Sequence, residues 1–167
     1  MGLLEETNKV GGHKMRCDIV PLGQKYRGMG RSLDVTHFKN CLPKDSFDDL
    51  LEVYFDYIDY CCEINPMFDK LLAFYKKFRD HGVCCEVIAY ATYPIENLHG
   101  YTVELLGIDI AHDMCESLIA EDVNPNIQNL LNENGLCQTV EDVETIIPFQ
   151  DHGTVEWQPC YVYTVKC

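Results

Sequence analysis

Two neighbouring segments with helical hydrophobic spacing, followed by a run of branched residues, limit the folds open to this chain. From about Ser46 to Cys62, apolar residues recur every three or four positions, as on one face of a helix. The predicted buried stripe consists of Phe47, Leu50, Leu51, Tyr54, Ile58 and Cys61. A second helix is predicted from Asn65-Pro66, a favourable helix start, to about Asp80, with five inward residues: Phe68, Leu71, Leu72, Tyr75 and Phe78. We expect the two helices to pack side by side as one layer, with their apolar faces toward the core.

Short runs with strand character surround this helix pair. Cys17–Val20 precedes a proline, which favours an edge strand. The other predicted strands are Leu33–Phe38, Val83–Thr92, Tyr101–Ile110 as the hairpin partner of Val83–Thr92, and Pro159–Val165. Short helices are predicted at His112–Ala120, Asn126–Glu133 and Val140–Ile147, the last capped by Thr139 with Asp142.

The order of these elements predicts an α+β fold. We expect a mainly antiparallel sheet of about four to five strands, packed by the helix pair and by short C-terminal helices. Residues 1–14 show no periodicity and are predicted to form a mobile tail. Residues 15–167 are predicted to form a single domain, because chains of about 100–200 residues usually do.

The charge is strongly negative and unevenly distributed. The formal net charge is -14, residues 1–44 are mildly basic, and Lys166 is the only cation in residues 101–167. This balance argues against nucleic acid as a direct partner, because phosphates would be repelled. The acidic part either steers a basic protein partner or serves solubility alone.

Five carboxylates on the first predicted helix recur at spacings of 4, 4, 3 and 4 and therefore share one face: Asp48, Glu52, Asp56, Asp59 and Glu63. No Lys or Arg follows them at i+4, so each like-charge pair costs a few tenths of a kcal/mol. Such a row is either a solvated face or a surface for a basic partner. We predict these five residues as candidate partner-binding residues.

The ten cysteines contain no C-x-x-C pair, the usual spacing of zinc and redox sites. The opening residues Met1–Glu6 lack the basic and apolar regions of a signal peptide, and no apolar run approaches the ~20 residues of a membrane span. We therefore predict a cytoplasmic protein with free structural thiols and no membrane partner.

Catalytic signals are few. On the predicted helix, His112, Cys115 and Glu116 share a face, but no spacing marks the further ligands that a metal needs. Asp109 interrupts an apolar strand, and a structural role is favoured for it. We predict no catalytic residue, no metal and no cofactor. The alternative is a small metal-dependent or thiol enzyme that uses Asp109, His112 and Cys115.

The C-terminal part resembles a known family. The strand Leu105-Leu106-Gly107-Ile108-Asp109-Ile110, followed by Glu116-Ser117-Leu118-Ile119, is similar to a strand-to-helix motif of small cytoplasmic immunity proteins of bacterial polymorphic and contact-dependent toxin systems. Further matching pieces are Asn132–Leu136, Thr139–Ile147 and Tyr161–Val165. The likeness covers about 60 residues. It departs at Ile108, where tyrosine is commoner, and at Glu116-Ser117-Leu118, which lacks a glycine.

The resemblance implies binding and neutralisation of a cognate toxin domain, for example a basic nuclease, without catalysis by this chain. Complementary charge would speed the association, and buried aromatic side chains would supply affinity. Trp157 is a candidate anchor, with a core position as the alternative. A general protein-interaction domain without a toxin partner is the other alternative. The oligomeric state is left open.

Overall fold

A single antiparallel sheet organises the chain in the computed structural model, which describes residues 15–23, 33–63, 67–112, 116–117, 129–149 and 157–167. Its strand order is β1-β2-β6-β4-β3, and a short β5 pairs with the end of β4. The strands are β1 Met15–Pro21, β2 Cys85–Ala91, β3 Asn97–Leu98, β4 Tyr101–His112, β5 Glu116–Ser117 and β6 Gln158–Lys166. The tail predicted at residues 1–14 lies outside the described residues.

Three α-helices accompany the sheet in the described part of the chain: α1 Lys44–Cys61, α2 Phe68–Asp80 and α3 Val140–Ile146. Short 3-10 helices span Thr36–Asn40 and Ile147–Phe149. The main core lies between the α1–α2 pair and one face of the sheet. The predicted α+β class, with an antiparallel sheet, a helix pair and a short C-terminal helix, is confirmed.

The two longest helices occupy nearly the predicted segments. All five inward residues of α2 are buried at the predicted helical spacing: Phe68, Leu71, Leu72, Tyr75 and Phe78. The helix begins at Phe68 rather than at Asn65-Pro66, which lies outside the described residues. After its end, Gly82 adopts a φ of 83°, which costs little only for glycine.

The strand partners differ from the predicted ones. β1 is an edge strand, as Pro21 indicates, and pairs with β2. However, β2 and β4 do not form the predicted hairpin, because β6 lies between them and pairs with both. Consecutive residues Val162, Tyr163, Thr164 and Val165 of β6 are buried. A strand that buries both of its faces is stabilised at the centre of a sheet, and this preference overrides proximity along the chain.

The predicted strand at Leu33–Phe38 is wrong, since Thr36–Asn40 forms a 3-10 helix. The Asp34 carboxylate accepts hydrogen bonds from the Thr36 backbone N–H at 2.9 Å and from the Thr36 hydroxyl at 2.7 Å. A short polar side chain that bonds two residues ahead favours a turn over an extended strand. The alternation of apolar and polar residues here is therefore misleading.

Two of the predicted short helices are also wrong where the structure describes them. β4 continues through His112, and His112 pairs with Glu116 of β5 instead of lying one helical turn from it. Residues 129–133 form a turn and a bridge, while residues 126–128 lie outside the described part of the chain. In contrast, the α3 cap is confirmed, because Thr139 Oγ1 accepts a hydrogen bond from the Asp142 backbone N–H at 3.1 Å.

The buried face of α1 is rotated from the predicted stripe. Phe47 and Leu50 are buried as predicted, but Tyr57 and Tyr60 complete the buried face. Ile58 and Cys61 are exposed instead. The two tyrosine rings pack around Phe74 of α2, with centroid distances of 5.6 and 5.5 Å. Tyrosine buries a large ring while its hydroxyl finds a polar partner, so these residues displace the smaller side chains from the core.

A bulge in β4 joins the sheet to the segment before α3. The pairing of β4 with β6 shifts between Leu105 and Gly107. Asn132 Nδ2 donates to the Leu106 carbonyl at 2.8 Å, and a Cβ on Gly107 would lie 2.5 Å from Leu136 Cβ. The bulge of β4 and the Asn132–Leu136 segment thus meet at one structural junction.

Candidate functional site

Four carboxylates lie together on the outward face of α1, and we call this set the acidic face: Asp48, Glu52, Asp56 and Asp59. All four residues are exposed. From Asp48 to Asp59 the row extends about 16 Å at 1.5 Å per residue. Among the described residues, no Lys or Arg forms an ion pair with any of them. Within the part of the chain that the structure describes, the outward face of α1 is therefore a strip of uncompensated negative charge.

Glu63, the fifth predicted member of the row, is separate from the acidic face. It lies beyond the end of α1, and its carboxylate accepts a hydrogen bond from Lys70 Nζ at 2.7 Å. Lys70 belongs to α2, so the ion pair links the two helices across their connection. Lys70 follows Glu63 by seven residues and lies on the next helix. A search for cations at position i+4 of the same helix therefore did not find it. Its exposed position limits the contribution of this pair to stability.

The end of α1 near the acidic face is electrostatically unfavourable. Carbonyl groups give the C-terminal end of a helix partial negative charge, which cations in the last turn usually relieve. The last turn of α1 contains no basic residue, and Asp59 lies there. Negative charge at this position lowers the stability of the helix. Helix stability therefore does not explain why an aspartate is present at position 59.

Two large apolar side chains lie beside the acidic face. Phe55 is 59% exposed and Ile58 is 39% exposed. Ile58 was predicted to lie in the buried stripe, and no role was predicted for Phe55. Phe55 lies three residues after Glu52, and Ile58 directly precedes Asp59. These spacings place both apolar side chains next to the acidic face on the helix surface, and they could have been read from the sequence. An exposed aromatic ring next to charged groups is a common feature of protein-binding surfaces.

Trp157 lies in another part of the structure. It is half-buried and packs against the apolar cluster formed by β4 and α3, which includes Ile108, Val143 and Ile146. The α1 helix contributes to a different cluster. The contacts of Trp157 therefore fit the core alternative, and the structure does not bring it together with the acidic face.

The residues of the enzyme alternative are not assembled into a described site. Asp109 is 1% exposed, and its Oδ1 accepts a hydrogen bond from the backbone N–H of Ile110 at 2.8 Å. Cys115 lies outside the described residues, and His112 is placed only by its backbone in β4. Over the residues that the structure describes, no three His, Cys, Asp or Glu side chains cluster closely enough to hold a metal.

The buried thiols are poor nucleophiles. Burial raises the pKa of Cys85 to about 12, with a smaller opposing effect of Arg79. Burial likewise raises the pKa of Cys137 to about 12, and the carboxylates of Asp142 and Asp109 add to the increase. The pKa values of the half-buried Cys17 and the buried Cys160 are raised further, mainly by loss of solvation. Because the thiolate is the reactive form, these four groups are protonated and unreactive near neutral pH.

A cleft of about 410 Å³ lies where α2 ends beside β2 and β6. Its walls include Tyr75, Arg79, Cys84, Cys85 and Cys167. Arg79 Nη1 donates a hydrogen bond to the Tyr75 hydroxyl at 3.0 Å, which holds the guanidinium against the wall. Sequence reasoning did not find this cleft, because its residues come from three distant segments.

An ion pair on β1 was also missed. Asp18 is 7% exposed, and its Oδ2 lies 3.2 Å from Arg16 Nη2. Burial raises the pKa of Asp18, and the neighbouring Arg16 partly opposes this effect. The two residues are two apart on one strand and therefore share a face of the sheet. The predicted strand began at Cys17, so Arg16 lay outside it.

Comparison with known proteins provides no relative. No family model matches the chain, no curated protein matches it, and no solved structure matches it. Among the described helices, none combines the length and apolar content needed to cross a membrane.

Proposed function

We propose that the chain is an immunity protein of a bacterial toxin system, which acts in the cytoplasm by binding and neutralising a basic toxin domain. The observation that carries the proposal is the acidic face of α1, with four exposed carboxylates on one side of a single helix. The negative charge there costs helix stability, as the last turn of α1 illustrates. A binding role for the surface accounts for that cost.

Complementary charge gives such a surface a kinetic advantage. An acidic strip on a chain of net charge -14 attracts a basic domain over a distance of about a Debye length, roughly 8–10 Å at physiological salt. Association is then faster than for neutral surfaces and slows with added salt. A toxin that acts on nucleic acid carries the basic surface that this mechanism requires.

The test is neutralisation in cells. The gene next to the one for this chain should encode a toxin whose C-terminal domain arrests growth when it is expressed alone. Coexpression of the chain is expected to restore growth, and the purified chain is expected to bind the purified domain. Absence of such a gene, or arrest that persists despite coexpression of the folded chain, contradicts the proposal.

A matched variant assigns the effect to the acidic face. Asp56→Lys with Asp59→Lys should reduce neutralisation, while Glu141→Lys with Glu144→Lys on α3 changes the net charge equally at another exposed place. Equal losses for the two variants would indicate bulk charge as the cause and would remove α1 from the interface.

A further inference from the structure

Helix α1 carries a second apolar stripe in addition to its buried one. Leu51, Phe55 and Ile58 of α1 and Cys62, the residue just after its end, follow one another at spacings of 4, 3 and 4 residues, and we call this set the apolar seam. Phe55 and Ile58 are 59% and 39% exposed, Cys62 is exposed and Leu51 is half-buried. The described residues of the chain leave most of the apolar seam uncovered.

Spacings of 4 and 3 are those of the contact positions in helix–helix packing of the coiled-coil type. The apolar seam extends over about 16 Å at 1.5 Å per residue, long enough for roughly two heptads of a partner helix. Glu52 and Asp59 each follow an apolar-seam residue directly, one heptad apart, so they lie along the border of the apolar seam. The geometry fits a helix lying lengthwise on α1.

The carboxylates along the border of the apolar seam determine which kind of helix can bind there. In a pairing of α1 with a second copy of itself, the bordering carboxylates would oppose one another, and Lys44 at the far N-terminal end is the only cation in the helix. Like charges along such a seam select against self-pairing, while Lys or Arg at the same positions of a partner would be attracted. Pairing of α1 with the α1 helix of a second copy is therefore disfavoured.

We propose that the apolar seam binds a basic amphipathic helix of the partner. Its apolar residues contact Phe55 and Ile58, and its Lys or Arg residues contact Glu52 and Asp59. The inference deepens the proposed function and rests on it for placing the partner on this face. It adds the structural element and chemistry of the partner, which can be tested without a toxin.

The probe is a synthetic peptide of about three heptads with Leu at the contact positions and Lys at the flanking positions. Lysine repulsion keeps the free peptide monomeric and poorly helical, so binding should appear as a gain in helical circular dichroism and in fluorescence anisotropy. A peptide with Glu at the flanking positions is the charge control. The basic peptide should bind, and the acidic peptide should not.

Variants of the chain assign the site. Phe55→Ala with Ile58→Ala should weaken binding of the basic peptide by about tenfold or more, as removal of central anchors does. Leu22→Ala with Leu105→Ala is the matched control, because these side chains are 57% and 46% exposed elsewhere. The control should stay within about twofold of the unaltered chain, as for surface substitutions outside an interface. Both variants should retain the original circular dichroism spectrum.

Three results would overturn the inference: no binding of the basic peptide, equal binding of the acidic peptide, or unchanged affinity of the Phe55→Ala, Ile58→Ala variant. The outcomes also separate this inference from the proposed function. Peptide binding without toxin neutralisation rejects the function and keeps the inference. Toxin neutralisation by a chain that does not bind the peptide rejects only the inference.

Discussion

The hydroxyl of Tyr57 on α1 accepts a hydrogen bond from the backbone N–H of Ile19 on β1 at 3.0 Å. β1 is the edge of the sheet next to β2, so this donor would otherwise lack a strand partner on its outer side. The Tyr57 hydroxyl thus satisfies one backbone donor at the sheet edge and links α1 to β1, which favours one rotation of α1 about its axis. That rotation directs the acidic face and the apolar seam outward.

Replacing Tyr57 with phenylalanine should destabilise the chain. The Ile19 N–H is buried and would lose its acceptor, which costs about 1–3 kcal/mol. Urea unfolding followed by circular dichroism measures the loss. Tyr163→Phe is the control, because Tyr163 accepts from the part-buried Ile95 N–H, which water can reach. A loss for Tyr57→Phe no larger than for Tyr163→Phe contradicts this role.

Gly107→Ala should disrupt the junction between β4 and the Asn132–Leu136 segment. The new Cβ would lie 2.5 Å from Leu136 Cβ and 3.0 Å from the Cys137 carbonyl oxygen, so the backbone must shift. Overpacking of this kind costs about 1–3 kcal/mol, measurable by urea unfolding. Gly82→Ala is the control, since its Cβ meets nothing within 4 Å although its φ is 83°. A smaller loss at Gly107 than at Gly82 would count against the packing argument.

Sequence reasoning succeeded where one local property dominates. The 3.6-residue period of α2 identifies its five buried residues, and the proline at the end of β1 marks the edge of the sheet. It failed where contacts between residues distant in the sequence determine which face of a helix is buried. The period of α1 is compatible with two stripes, and only the contacts of Tyr57 and Tyr60 with Phe74 select the buried one.

The pairing of strands is the other limit. β6 comes last in the sequence but lies between β2 and β4, and no local pattern indicates this crossover. For the candidate site, the row of carboxylates was visible from spacing. The salt bridge of Glu63 with Lys70 and the exposure of Phe55 and Ile58 depend on how the helices pack, so they required the structure.

Asp59→Asn should stabilise the chain, because it removes a negative charge from the last turn of α1. The expected gain is about 0.3–1 kcal/mol, and it should shrink at high salt. Asp45→Asn is the matched control, since Asp45 lies in the first turn, where a carboxylate is favourable, and its removal should destabilise. Thermal unfolding at low and high salt measures both. Changes of the same sign in the two variants would refute the dipole argument.

Asp18 should make stability decrease as the pH rises. Burial raises its folded-state pKa despite Arg16, so the folded chain holds the proton more tightly than the unfolded chain. This contribution is complete below the unfolded pKa of about 3.9 and is lost as the pH rises through the folded pKa. Unfolding free energies of Asp18→Asn, measured across this range, should therefore fall less with pH than those of the unaltered chain.

Asp34 provides a comparison of opposite sign. Hydrogen bonds from the backbone N–H and hydroxyl of Thr36 lower the pKa of Asp34. The stability that Asp34 contributes is therefore present above the pKa of the unfolded chain, and it is lost as the pH falls through the pKa of the folded chain. In the same titration, Asp34→Asn should lose stability relative to the unaltered chain toward neutral pH. Parallel pH profiles for the Asp18 and Asp34 variants would contradict both assignments.

The association rate with the basic toxin domain tests the central claim most directly. Stopped-flow mixing measures this rate at low and at high salt. At low salt, the Asp56→Lys, Asp59→Lys variant should associate at least about tenfold more slowly than the unaltered chain. The difference between the two rates should shrink at high salt. The Glu141→Lys, Glu144→Lys variant should fall less. Equal rates for the unaltered chain and the Asp56→Lys, Asp59→Lys variant in both conditions would contradict docking on the acidic face.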